Sequence, residues 1–245
     1  MADLSTFFTE AFEKFTDKEE FYKAVIMNMY GDEALQARNE YYRRCFKSCG
    51  ENVNIGVGVQ IVGAENISVG DNVSICDDVT IRASGSITIG SGVTITQRVY
   101  LDTEGEEGYI NIGNNVYIGT GTSLFGHCGL EIGDHSLLAQ NISLTPYSHI
   151  FEDPDRLIIN QGGHTKKVTI GRDCYIGMNV TILYSADIGD GSVVGSGTVV
   201  VKPIPPYSVA VGTLQGSSVS AEKRRSKETL TGDIYAIFIR ESLDR

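Results

Sequence analysis

The residues best suited to chemistry near neutral pH are four histidines, His127, His135, His149 and His164, because imidazole titrates in that range without help. Such a base takes the proton from a hydroxyl or amine as it attacks, and needs no covalent intermediate when both reactants are bound together. His149 and His164 lie in TPYSHIFEDPDRLIINQGGHTKK, residues 145–167, a polar stretch carrying Pro146 and Pro154. His127 precedes Cys128, which invites a nucleophile–base pair, but adjacent residues of a strand point to opposite faces. No nucleophile elbow accompanies a Ser-His-Asp set. His135 follows Asp134 at a turn and reads as solvated, as does His164. The five cysteines, Cys45, Cys49, Cys76, Cys128 and Cys174, are scattered and odd in number. That fits reduced thiols in the cytoplasm better than a disulfide framework. Cys45 and Cys49 lack a second ligand pair, so they read as two helical residues rather than half a zinc site.

What must position these side chains is a six-residue rhythm. Ile55, Ile61 and Ile67 lead, after a two-residue step, to Val69, Ile75, Ile81 and Ile87. Another step gives Ile89, Ile95 and Leu101. After an interruption over 102–109 come Ile112, Ile118, Leu124 and Leu130, then Ile132, Leu138 and Leu144. The excursion 145–167 follows, and then Ile170, Ile176, Ile182, Ile188, Val194 and Val200. Glycine often comes next, and the fourth position after the aliphatic is small or β-branched, as at Val59, Val73, Thr122, Val180 and Ala186. One inward residue in six, with compact corners, describes a coil of short strands in which each turn hydrogen-bonds only to its neighbours. A helix would repeat apolar residues every three or four positions, and a sandwich would alternate strictly between hairpin turns.

Before Gly50 the pattern is helical. Phe8, Phe12 and Phe15 sit at helical spacing, Thr16 with Glu19 offers a capping box, Gly31 breaks the chain, and Asp32 is placed to cap a further helix carrying Leu35 and Phe46. The expected organisation is a helical region 1–49, a coil 50–215 bearing the 145–167 loop, and an extension 216–245. The net charge of −11 opposes binding to nucleic-acid phosphates or anionic lipid. No apolar run approaches the ~20 residues of a membrane span, and the N-terminus lacks the shape of a signal peptide.

The runs ISVGDNVSI, VTIGRDCYIGMNVTIL and IGDGSVVGSGTVV resemble the hexapeptide-repeat acyltransferase superfamily over about residues 50–215. The resemblance implies a mainly β fold, a left-handed parallel β-helix with an α-helical cap. The hand comes from the resemblance alone, since the general rule for parallel crossovers favours the right hand. The helical cap and the segment NISLTPYSH, followed by DPDR, QGG and VTIGRDCYIG, are similar to the galactoside, maltose and polysaccharide O-acetyltransferases.

On that pattern His149 takes the catalytic position. His127 is the second choice: IGTGTSLFGHCGLEIGD is similar to the serine acetyltransferase pattern, but Gly126 stands where that pattern has an aspartate. The resemblance further implies acetyl-CoA as co-substrate, with no tightly bound cofactor and no metal. Tyr175, Gly177, Met178, Ser196 and Lys202 match positions that hold the pantetheine arm and phosphates, with Tyr175 in the place usually taken by tryptophan. The relatives end in a segment like AGNPAKVIR. Here AVGTLQGSSVS lacks its proline and its basic residue, and Lys223, Arg224 and Arg225 are the nearest substitutes. The γ-type carbonic anhydrases share the fold but need three histidines around zinc, a spacing His127, His135 and His149 do not match.

The expectation is a cytoplasmic homotrimer that acetylates a sugar hydroxyl, as in polysaccharide biosynthesis. An N-acyltransferase acting on a nucleotide-linked amino sugar is the alternative, and a non-catalytic scaffold is the third reading.

Overall fold

The computed structural model describes residue 13 and residues 18–212 and 217–220, with side chains for 13 and 23–212. The Phe8, Phe12 and Phe15 row, Thr16 of the expected capping box and the 223–225 basic cluster lie outside the described residues.

Two helices, Lys18–Asn28 and Asp32–Cys45, close one end of the molecule. Asp32 does not cap the second. Gly31, at φ +106°, is the cap residue, and no side chain bonds to the helix start. Asp32 and Glu33 lie inside the first turn instead, where the exposed amides favour a negative charge. Cys45 ends this helix, whereas Cys49 belongs to the first strand rather than to a helix. The helices are fastened to the coil by Arg38, which is buried. Its Nε donates to the carbonyl of Ile55 at 2.9 Å, and its Nη1 to those of Ile26 and Met29 at 3.0 and 2.6 Å. The Asn39 side-chain oxygen accepts the amide of Ile55 at 2.8 Å. At the strand Asn54–Ile55 the open edge of the first coil is thus bonded by the cap.

From Ser48 the chain winds through three parallel sheets in strict rotation. The first begins with Ser48–Cys49 and Ile67–Val69, the second with Asn54–Ile55 and Ser74–Ile75, and the third with Gln60–Val62 and Thr80–Arg82. Ser48 pairs with Ser68, Asn54 with Ser74 and Gln60 with Thr80. One early turn is therefore three hexads plus the two-residue step, and that step, Ile67 to Val69 or Ile87 to Ile89, runs within a strand of the first sheet, which buries two aliphatics. The fold is a left-handed parallel β-helix of about eight turns, the coil expected from the repeats and the hand from the resemblance. Every aliphatic of the six-residue series is buried, most of them completely, as are Val59, Val73, Thr122, Val180 and Ala186. Asn72, Asn115, Asn141 and Asn179 take the left-handed conformation at corners, a geometry asparagine tolerates better than most residues.

The two interruptions bulge outward without disturbing the winding. Ser86 of one coil pairs with Tyr109 across the first, and Leu130 pairs with Val168 across the second.

Candidate active site

Both insertions leave the coil at the end of the third sheet, and the candidate site is assembled along that edge. In the strand Tyr100–Asp102, Leu101 points into the core, so Tyr100 and Asp102 project outward together. The register sets Asp102 over Arg82 and beside Phe125. Asp102 is nearly covered. Its Oδ2 accepts the Tyr100 hydroxyl at 2.6 Å and faces Arg82 Nε at 3.2 Å, while Oδ1 accepts the amide of Glu104 at 2.8 Å. This pins the start of the 103–108 bulge. Burial, followed by the hydrogen bond to Asp102 and its charge, pushes the Tyr100 phenol up to about 12.

A row of rings runs on from Tyr100. Its centroid is 5.7 Å from that of Phe125, Phe125 is 6.2 Å from His127, and His127 lies 5.0 Å from Tyr147 with the planes 19° apart. Tyr147 in turn meets His149 edge to face at 4.9 Å. His127 and Cys128 occupy the corner after Ser123–Phe125, not a strand, so strand alternation does not govern them. The Nδ1 atom of His127 is buried and has no hydrogen-bond partner among the described residues.

The 145–167 excursion is a hairpin, not a structureless loop. Tyr147–His149 pairs antiparallel with Gly163–Thr165. Alternation puts Tyr147 and His149 on one face, towards the His127 corner, and Ser148 and His164 on the other. On that second face the His164 ring is 6.2 Å from Tyr184 of the following coil. Lys166 Nζ donates to Ser185 Oγ at 2.9 Å, and Lys167 Nζ pairs with Glu131 at 3.1 Å. The hydrogen bond to Glu131 also raises the Lys167 ammonium above its usual value. His149 is exposed at the end of its strand, and its Nδ1 lies 3.4 Å from the Tyr147 hydroxyl. The tip of the hairpin leaves Phe151, Leu157, Ile158 and Ile159 exposed.

The residues expected to hold the donor fall into two groups. Tyr175 is exposed on the second sheet, while Gly177, Met178 and Ser196 stack at the corner between the second and third sheets. Met178 N donates to Ser196 Oγ at 3.2 Å, and a Cβ on buried Gly177 would lie 2.6 Å from Ser196 N. That close approach is a packing reason for the glycine. Lys202 sits at the opposite edge of the third sheet, two residues beyond Val200 as Tyr184 is beyond Ile182. It shares the hairpin's edge, not the Tyr175 corner. His135 stands exposed at a corner with φ +63°, apart from both groups. Among the described residues there is no set of three or more His, Cys, Asp or Glu able to hold a metal ion, and no helix long and apolar enough to cross a membrane.

Two family descriptions match the chain. Bacterial transferase hexapeptide (six repeats) covers residues 167–202, and hexapeptide repeat of succinyl-transferase covers residues 109–146. The chain is 37% identical over 106 residues to a probable acetyltransferase of Mycobacterium tuberculosis, 43% of this chain and 35% of that protein. It is 35% identical over 105 residues to the galactoside O-acetyltransferase of Escherichia coli, 42% of this chain and 50% of that one. These matches support the hexapeptide-repeat acyltransferase superfamily. It spans between a third and a half of the length of these curated relatives. In fold it is similar to an N-acyltransferase from Bacillus cereus solved with dTDP and coenzyme A, with a TM-score of 0.57 at 21% identity, covering 87% of this chain and 99% of that one.

The two family matches end at 146 and resume at 167, so they frame the hairpin. Sequence reasoning singled out His149 and His127 but missed Tyr147, Gly163, Tyr100, Asp102 and Arg82. A signal for the last three was present. Arg82 and Asp102 are one twenty-residue turn apart, and Tyr100 alternates with Asp102 on the outward face.

Proposed function

We propose that this protein transfers an acyl group, acetyl foremost, from a coenzyme A thioester to a sugar hydroxyl, with His149 as general base. The observation that carries the reading is the hairpin. It is framed by repeats that match transferase families, and it presents an exposed histidine with one ring nitrogen beside a hydroxyl. The other nitrogen is then the one available to a substrate. It takes the proton of the acceptor hydroxyl as that oxygen attacks the thioester carbonyl carbon. The carbon–sulfur bond breaks, and the imidazolium returns the proton to the departing thiolate. His127 suits the role less well, because its buried Nδ1 has no orienting partner among the described residues.

The donor lies along Tyr175, Gly177, Met178 and Ser196, with Lys202 meeting a phosphate. The corner of Gly177, Met178 and Ser196 lies across the third sheet from His149 within one chain, whereas Lys202 shares the hairpin's edge. A homotrimer with sites between subunits joins the donor corner of one copy to the hairpin of the next. The exposed apolar tip of the hairpin, with Leu137 and Tyr175 on the second sheet, supplies surface for such packing. The chain is then organised as a cap 1–49, a catalytic coil 50–215 and an extension 216–245. It works in the cytoplasm on precursors of a polysaccharide, a compartment suited to its free cysteines.

The test is a panel of acyl-CoA donors and sugar acceptors followed by thiol release, with light scattering for mass. Release dependent on a hydroxyl acceptor, and a particle of about three times 26.6 kDa, are expected. Activity on amines alone would transfer the reading to nucleotide-linked amino sugars, and absence of coenzyme A binding by calorimetry would overturn it.

A further inference from the structure

We infer that Tyr147 is a positioning residue for His149. Its hydroxyl accepts the Nδ1 hydrogen, so that Nε2 carries the lone pair, and Gly163 is a glycine so that the phenol can lie there. The inference rests on the reading of His149 as base, and deepens it.

A histidine takes up a proton only at the nitrogen that lacks one, and the partner of the other nitrogen decides which that is. The polar group observed at Nδ1 is the Tyr147 hydroxyl, at 3.4 Å. Hydrogen bonds of this kind are often long before substrate binds. A hydroxyl can donate or accept. As a donor to Nδ1 it would leave the hydrogen on Nε2, and that nitrogen could not act. Only as an acceptor does it suit both states of the base, because the imidazolium formed during transfer carries hydrogens on both nitrogens and needs an acceptor at Nδ1.

The packing shows that the phenol is held for this position. Its ring stacks on His127, with centroids 5.0 Å apart and planes 19° apart, and meets the His149 ring edge to face at 85°. Gly163 is the register partner of His149 across the hairpin, on the same face as both rings. Its backbone is not in the left-handed region, so the fold does not require glycine there for conformation. A Cβ at this position would collide with Cζ, Oη and Cε2 of Tyr147. Any side chain at 163 displaces the phenol from the space it needs to reach Nδ1. In this arrangement the His127 ring is the back support of the positioning group.

The experiment compares the full-length protein with Tyr147→Phe and Gly163→Ala, using two readouts. Acyl transfer gives kcat and the donor KM, and the ¹⁵N spectrum of the His149 imidazole gives the tautomer without reference to turnover. The wild type is expected to show hydrogen on Nδ1. Tyr147→Phe is expected to move it towards Nε2 and to lower kcat roughly tenfold, the rate equivalent of one ordinary hydrogen bond, with the donor KM unchanged. Gly163→Ala should reproduce both effects while retaining the hydroxyl. A wild type with hydrogen on Nε2, or a Tyr147→Phe variant that keeps the Nδ1 tautomer and full kcat, would overturn the inference. His149→Ala is run beside them. Full activity there sinks the base reading, whereas the tautomer measurement still decides the positioning role.

Discussion

Replacing Asp102 with asparagine removes one charge and almost no volume, so its consequences can be worked out atom by atom. The asparagine carbonyl can still accept the Glu104 amide, which now bonds to Oδ1 at 2.8 Å. An amide NH₂ replaces the oxygen that accepts Tyr100 and faces Arg82. The Tyr100 hydroxyl can turn and accept, exchanging a charge-assisted bond for an ordinary one at a cost of about 1 kcal/mol. Arg82, whose side chain is 55% exposed, turns to water, and a pair so solvated contributes less than about 1 kcal/mol. The expected loss is roughly 1–2 kcal/mol, seen as a lower urea midpoint with an unchanged slope. Two of the influences that raise the Tyr100 phenol are lost with the carboxylate, while burial remains. Tyrosinate absorbance, with Tyr100→Phe as the control, should therefore appear at lower pH in the variant. An unchanged midpoint together with an unchanged Tyr100 titration would refute the network as the anchor of the 103–108 bulge.

The remaining expectations concern the cap, the core and the donor. Arg38→Met strands the buried Ile55 carbonyl and two carbonyls of the helical cap. It should cost about 2–3 kcal/mol and speed hydrogen exchange in the two helices and the first coil, with the coils beyond Ile67 unaffected. Ile118→Ala empties a fully buried core position and should cost about 2–5 kcal/mol in a denaturant titration. Lys202→Ala should raise the donor KM more than it lowers kcat, with a larger effect at low salt. An unchanged donor KM would put the phosphates elsewhere.

The coil was legible because its physics repeats. One aliphatic in six, from Ile55 to Val200, gave the winding, and the two-residue steps marked the strands of the first sheet, where two aliphatics point inward. The hairpin was visible only as an interruption. Its alternation is two side chains long, Tyr147 and His149, too short to stand out from a polar loop, and its register with Gly163 depends on where the turn closes. The helix start was misplaced by one residue, because a glycine with φ +106° can replace a side-chain cap. Lys202 was grouped with Met178 and Ser196 through the resemblance, which says nothing of the edge each residue takes. In a coil, a few residues cross a whole sheet, and Lys202 came to the hairpin's edge.

The central claim is that His149 moves the proton in an acyl transfer from coenzyme A. The most direct measurement is turnover of wild type, His149→Ala and His127→Ala by thiol release, with coenzyme A affinity by calorimetry on each. His149→Ala should fall by roughly 10²–10⁴-fold in kcat with nearly unchanged coenzyme A affinity. Full activity in His149→Ala would contradict the account, and loss confined to His127→Ala would move the base to the corner behind Tyr147.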